Sequence, residues 1–116
     1  MAGAPIADWK AMREISDAAY RDFCDILFDH KSEAFDERSP ITYVKNVENP
    51  LCIIASQNDS RTPLKPVLAY ISELHKQGVK FEFHMTTDAG HIATSTSQFM
   101  DDLLPGIQFL QKHFPV

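Results

Sequence analysis

The apolar residues in the second half of the chain follow two different strand patterns. Residues 51–55 are continuously apolar, which is typical of a strand covered on both faces in a parallel sheet. Residues 80–85 alternate instead, with Phe81, Phe83 and Met85 on one face. This alternation predicts a second strand with one better-buried face.

Three other stretches carry apolar residues at the three- and four-residue spacing of an amphipathic helix. The first begins near Ser16, a predicted cap, and presents Tyr20, Phe23, Cys24, Leu27 and Phe28. The second follows the predicted cap and first-turn proline Thr62-Pro63, closes at Gly78 and presents Val67, Leu68, Ile71, Leu74 and His75. The third presents Phe99, Leu103, Ile107 and Leu110. We expect the phenylalanines of these stretches to lie in the core or against the sheet, namely Phe23, Phe28, Phe99 and Phe109.

The remaining segments carry weaker signals. Residues 2–6 resemble the end of a strand, and residues 32–38, charged around the single aromatic Phe35, predict a surface excursion. Ser39-Pro40 predicts the start of a short helical turn. The order strand, helix, strand, helix predicts a βαβ unit with a trailing helix, and therefore an α/β fold with parallel strands.

Composition narrows the classes of function. The chain has 116 residues and a formal net charge of -5, with no basic stripe, so we expect no nucleic-acid partner. Cys24 and Cys52 are far apart and predict two core thiols in a reducing compartment. No apolar run approaches the roughly 20 residues that span a bilayer, and residues 1–5 lack the features of a signal peptide. We therefore expect a cytoplasmic protein without a membrane partner.

Two residues with catalytic potential follow the two predicted strands. Asp59 and His91 each come a few residues after a strand, and the carboxyl ends of parallel strands share one edge of a sheet. A carboxylate beside a histidine is the orienting half of a Ser-His-Asp triad, and the order Asp before His is that of the α/β-hydrolases. The residues alone leave two interpretations open: a catalytic pair, or a turn-forming aspartate and an unrelated loop histidine.

Other chemistry has little support. The G-x-S-x-G elbow that carries the serine of an α/β-hydrolase is absent from the 116 residues, and Ser60, Ser95 and Ser97 are expected to form caps and loop contacts. The five histidines show no metal-binding spacing. We expect neither a metal nor another cofactor.

Two motifs together resemble the prolyl oligopeptidase family of serine peptidases, especially the acylaminoacyl peptidases. Residues 50–63, PLCIIASQNDSRTP, are similar to that family's acid strand and loop, and residues 87–91, TDAGH, to its histidine loop. Residues 2–9 and Ser39-Pro40 resemble the stretch between the nucleophile helix and the acid strand. The resemblance implies that residues 1–116 are a C-terminal fragment of an α/β-hydrolase catalytic domain, with parallel strands, flanking helices and an incomplete three-layer α/β/α sheet.

The resemblance also implies roles for individual residues. Asp59 would be the triad acid and His91 the general base; Arg61 would brace the acid loop, and Gly90 would let the backbone approach closely before His91. The nucleophile would lie outside this sequence, so the fragment alone is expected to be inactive, and the substrate of the full-length protein would be a peptide or an ester. The alternatives are a carboxylesterase or dienelactone-hydrolase-like enzyme and a non-catalytic interaction module.

The strand count predicts one further property. Residues 51–55 need cover on both faces and a neighbouring strand, yet the chain offers two clear strands and a scrap near Ala2. Open strand edges are templates for pairing with another chain. We therefore expect self-association, most economically as a two-fold dimer that extends the sheet or exchanges a helix.

Overall fold

A three-stranded parallel sheet forms the centre of the protein. The computed structural model describes residues 1–87 and 90–115. The strands are β1 (Ala2–Gly3), β2 (Leu51–Ser56) and β3 (Phe81–Thr86), in the order β1-β2-β3. Strand β2 pairs in parallel with both neighbours, so that Ile53 lies between Ala2 and Phe83. The prediction of a parallel α/β sheet with β2 inside it is confirmed.

The segment between β1 and β2 is more helical than its pattern predicted. It forms α1 (Trp9–Ile15), α2 (Ala18–Leu27), α3 (Ser32–Glu37) and a 3-10 segment (Pro40–Asn46). Helix α2 begins after Asp17, which caps it, whereas the predicted cap Ser16 ends α1. Residues 32–38 lie largely at the surface, as predicted, but they form a helix whose one aromatic, Phe35, is buried with its ring centroid 4.8 Å from that of Phe28.

Helices cover both faces of β2, as its continuous apolar run predicted. Helix α4 (Leu64–Lys76) and the 3-10 segment pack on one face, and α5 (Thr96–His113) packs on the other. The first face is built around Val44, Ile53, Ala55, Val67, Tyr70 and Leu74. The second is built around Cys52, Ile54 and Phe109. Cys24 and Cys52 are both free and fully buried, as expected for core thiols.

The ends of α4 show one correct and one incorrect prediction. Gly78 ends the helix with φ +70, a conformation that favours glycine, and its amide donates to His75 O. At the other end, no side chain caps α4, and Pro63 occupies the position before its first turn. Thr62 does not cap the helix because its hydroxyl is bonded to Asp59.

Several residues that were predicted to be in the core are exposed. Phe23 is 51% exposed and Phe99 is 54% exposed, so the expectation that both pack inside was wrong. The apolar face of α5 is also broader than its contact with the sheet, since only Gly106 and Phe109 are fully buried in it. Helical spacing identified the helix, but the side that meets the sheet is set by tertiary packing.

Candidate active site

The turn that follows β2 holds the Asp59 carboxylate in a dense set of hydrogen bonds. One carboxylate oxygen, Oδ1, accepts from the backbone amides of Arg61 and Thr62, both at 2.8 Å. The other oxygen, Oδ2, accepts from the Thr62 hydroxyl at 2.7 Å and from His91 Nδ1 at 2.9 Å. Asp59 is 5% exposed. The amides two and three residues after Asp59 therefore close a short aspartate turn around a buried carboxylate.

His91 lies on the loop that follows β3 and meets Asp59 from the neighbouring strand. Its side chain is 40% exposed, in contrast to the 1% of the Asp59 side chain. A second bond joins the two loops: the side-chain amide of Asn58 donates through Nδ2 to the backbone carbonyl of Thr87. The pairing of the strands also continues past their ends through a 2.8 Å bond from Gln57 N to Thr86 O. The expected proximity of Asp59 and His91 is confirmed.

The surroundings of Asp59 fix the charge of its carboxylate and, through it, the tautomer of a neutral His91. Burial on its own raises the pKa of Asp59, but the hydrogen bonds from Thr62, His91 and Arg61 outweigh it and hold the pKa below its ordinary value. The carboxylate is therefore ionised at neutral pH and can only accept. Since Nδ1 of His91 must then donate to it, Nε2 of the neutral imidazole is left as the acceptor.

A cavity of about 350 Å³ adjoins the pair at the carboxyl ends of the three strands. His91 and Asp59 line it, together with Ser56 and Thr86 from the strand ends and Gly3 and Ala4 from the end of β1. Its remaining wall is mainly apolar and includes Ile92, Phe99 and Leu103. Polar side chains beside a cavity at the carboxyl ends of parallel strands are the arrangement typical of ligand sites in α/β proteins.

The sequence model of the prolyl oligopeptidase family matches residues 1–116. The chain belongs to this family of serine peptidases. The uncharacterised peptidase YuxL of Bacillus subtilis (strain 168) is 30% identical over 95 residues, or 78% of this chain and 14% of the relative.

Solved peptidase structures share the fold. The uncomplexed acylaminoacyl peptidase of Pyrococcus horikoshii matches 97% of this chain and 20% of its own, with a TM-score of 0.83 and 24% identity. A puromycin hydrolase matches 98% of this chain and 18% of its own, with a TM-score of 0.86 and 17% identity. The predicted α/β-hydrolase architecture is thus confirmed. The chain spans between 14% and 20% of the length of these three relatives.

The structure shows how two other residues that the family resemblance singled out are placed. Arg61 contacts the acid through its backbone amide, whereas its guanidinium makes no hydrogen bond or ion pair within residues 1–87 and 90–115. Among the described residues, a Cβ added to Gly90 would meet no atom within 4 Å, so the expected close backbone approach is not seen there. Asp88 and Ala89 of the quoted histidine loop lie outside the described residues.

The three serines considered as hydroxyls near the pair differ in their surroundings. Ser95 caps α5, since its Oγ accepts from Gln98 N at 3.2 Å, as the cap prediction required. Ser60 and Ser97 are both exposed. The part of the chain that the structure describes contains no group of three or more metal-binding side chains, and no helix in it is long and apolar enough to cross a membrane.

Sequence reasoning missed two residues that organise the site. Thr62 was interpreted as a helix cap, and Asn58 was given no role, although they supply the hydroxyl bond to the acid and the bond between the loops. One signal was present. Asp59 follows a strand in a polar, turn-prone segment, and the residues two and three positions later are not proline and so have backbone amides that can donate. This is the pattern of an aspartate turn, which predicts the bonds to Oδ1.

Proposed function

We propose that Asp59 and His91 are the acid and the general base of a Ser-His-Asp triad in a serine peptidase. One observation carries this proposal: a buried, ionised carboxylate accepts a 2.9 Å hydrogen bond from Nδ1 of a half-exposed histidine that lines a cavity. A triad requires this combination, because the buried carboxylate must hold the ring while the opposite ring nitrogen stays accessible to a substrate.

The roles follow from the hydrogen-bonding capacity of each group. Nε2 of neutral His91 would take the proton of the attacking serine hydroxyl and return it to the leaving amine. The imidazole carries a positive charge between these two transfers, and the Asp59 carboxylate, held ionised by its neighbours, stabilises that charge. The bond to Nδ1 also keeps the ring in the tautomer whose Nε2 can accept.

The serine nucleophile and the oxyanion donors are proposed to come from outside these residues. No G-x-S-x-G occurs in the sequence, although the α/β-hydrolase nucleophile requires such an elbow. We therefore propose that residues 1–116 are one segment of a longer catalytic domain, and that this segment alone forms no acyl-enzyme. A fluorophosphonate probe tests the second statement, because His91-dependent labelling of any serine of the isolated chain would contradict it.

Peptide bonds are the proposed substrates of the full-length protein. The relatives that resemble the chain in sequence or fold carry the names peptidase, acylaminoacyl peptidase and puromycin hydrolase. Since ester hydrolysis uses the same triad, the substrates to be compared are an N-acylated amino-acid anilide and the matching ester. Turnover of the ester with no turnover of the anilide would favour an esterase.

Variants of the full-length protein test the triad assignment directly. Asp59→Asn is expected to lower kcat by about 10⁴-fold, the loss found when the triad histidine has the wrong tautomer, and His91→Ala by about 10⁶-fold, the loss found when the general base is removed. His84→Ala is a matched control, because His84 Nε2 also faces a carboxylate, that of Glu82 at 3.3 Å, and its side chain is 37% exposed. The assignment fails if His91→Ala and His84→Ala have the same activity.

A further inference from the structure

The Asp59 oxygen that accepts the hydrogen bond from His91 also accepts one from a second donor. The Thr62 hydroxyl donates to Oδ2 at 2.7 Å, while the Thr62 amide donates to Oδ1 at 2.8 Å. One residue therefore contacts both oxygens of the carboxylate. With the Arg61 amide at Oδ1 and His91 Nδ1 at Oδ2, each oxygen has two donors.

The backbone of Thr62 is tied to a rigid element. Thr62 is 8% exposed, and Pro63 and helix α4 follow it directly. Val67 and Leu74 of α4 are among the most buried residues of the core. The position of the hydroxyl is therefore set by the packing of α4 on β2, and the loop itself contributes little freedom.

We propose that Thr62 is a positioning residue of the catalytic pair, whose hydroxyl fixes the rotation of the Asp59 carboxylate so that Oδ2 faces His91. This inference rests on the proposed function of the pair. Rotation of the carboxylate about its Cβ–Cγ bond moves both oxygens together, so the Thr62 hydroxyl at Oδ2 opposes the same rotation that the two amides oppose at Oδ1. The hydroxyl occupies one lone-pair direction of Oδ2 and leaves the other for Nδ1.

Two matched pairs of variants of the full-length protein isolate the hydroxyl. Thr62→Val keeps the shape of threonine without the hydroxyl, whereas Thr62→Ser and Thr62→Ala both lose the methyl group and differ only in the hydroxyl. We expect Thr62→Val to lower kcat about tenfold, equivalent to about 1.4 kcal/mol, with KM unchanged. Thr62→Ala is expected to show the same loss relative to Thr62→Ser, which keeps wild-type kcat.

A control and a double variant separate positioning from structure. Thr42→Val removes a hydroxyl that donates to Asp36 O at 2.6 Å, away from the pair, and is expected to leave kcat unchanged. When Asp59 is already asparagine, Thr62→Val should lower kcat by much less than tenfold. The effects of two substitutions are not additive when one residue acts through the other.

The outcomes distinguish this inference from the proposed function. If His91→Ala keeps activity, the triad assignment itself fails. The inference about Thr62 is overturned alone if His91→Ala inactivates the enzyme but Thr62→Ala equals Thr62→Ser, or if the tenfold loss of Thr62→Val persists undiminished with Asp59→Asn. If Thr62→Val does not fold, the kcat of Thr62→Ala relative to that of Thr62→Ser decides whether the hydroxyl positions the pair.

Discussion

Replacement of Ser39 by alanine tests the packing of the helical segment between β1 and β2. Ser39 is 1% exposed and its hydroxyl makes two bonds across this segment. It donates to Phe35 O at 2.6 Å and accepts from Trp9 N, 30 residues away in sequence, at 2.9 Å. Trp9 is the first residue of α1, and amides in a first turn have no partner within their own helix. The Ser39 hydroxyl thus joins the start of α1 to the end of α3.

The expected cost of Ser39→Ala follows from these two bonds. Each hydrogen bond contributes about 1 kcal/mol net, and a buried donor left without a partner costs about 1–3 kcal/mol. The Trp9 amide is only partly buried, so water can replace part of the lost bond. We therefore expect the free energy of unfolding to fall by about 2–3 kcal/mol, with no change in the fold.

Urea unfolding followed by fluorescence measures this loss, because Trp9 is the only tryptophan of the chain and lies at one of the two broken bonds. Ser32→Ala is the matched control. Ser32 begins α3 and is exposed, and within the described residues its hydroxyl makes only a 3.4 Å contact with Glu33, so its replacement should change stability by less than about 0.5 kcal/mol. The reasoning is refuted if the two alanine variants unfold at the same urea concentration.

Three other expectations concern strain, pH and association. Ala4, beside the cavity, has φ 46, a left-handed conformation that glycine adopts more readily than alanine. Ala4→Gly should therefore raise the free energy of unfolding, measured in urea, by up to about 1 kcal/mol, and a decrease of that size would contradict this. The pKa of Asp59 is lowered in the folded state, so its contribution to stability is present above about pH 4 and is lost as the pH falls through the folded pKa. Melting temperatures between about pH 2 and pH 5 should therefore vary less for Asp59→Asn than for the wild type. We also propose that the chain forms a two-fold dimer that extends the sheet at an open edge or exchanges a helix, and light scattering that gives a monomer throughout a dilution series would exclude it.

The long patterns of the sequence predicted the elements that carry the site. A continuous apolar run gave β2, alternation gave β3, and glycine gave the end of α4, since each of these signals has one dominant physical cause. Helices α1 and α3 are only 7 and 6 residues long. Such short helices have too few apolar positions to show a period, and they form because Met12 and Phe35 are buried by their neighbours.

One part of the candidate site could also be predicted from the sequence, and another part could not. The proximity of Asp59 and His91 could be predicted, because parallel strands place the residues after their carboxyl ends on one edge. The role of Thr62 could not, because its hydroxyl had two possible uses, a cap for α4 or a bond to the acid. The choice between them depends on the charge and burial of Asp59, which are properties of the folded chain.

The continuous pairing of β2 and β3 ties the geometry of the site to strand register. Asp59 is three residues beyond Ser56, and His91 is five beyond Thr86, the last residue of the ladder. A slip of one residue would move one loop by about 3.3 Å along the other and turn the side chains of that strand to the opposite face. A 2.9 Å bond does not survive such a displacement. Substitutions within the two strands are therefore tolerable during evolution wherever they keep the register, whereas a single inserted or deleted residue between Leu51 and Ser56 would separate the pair without altering either residue.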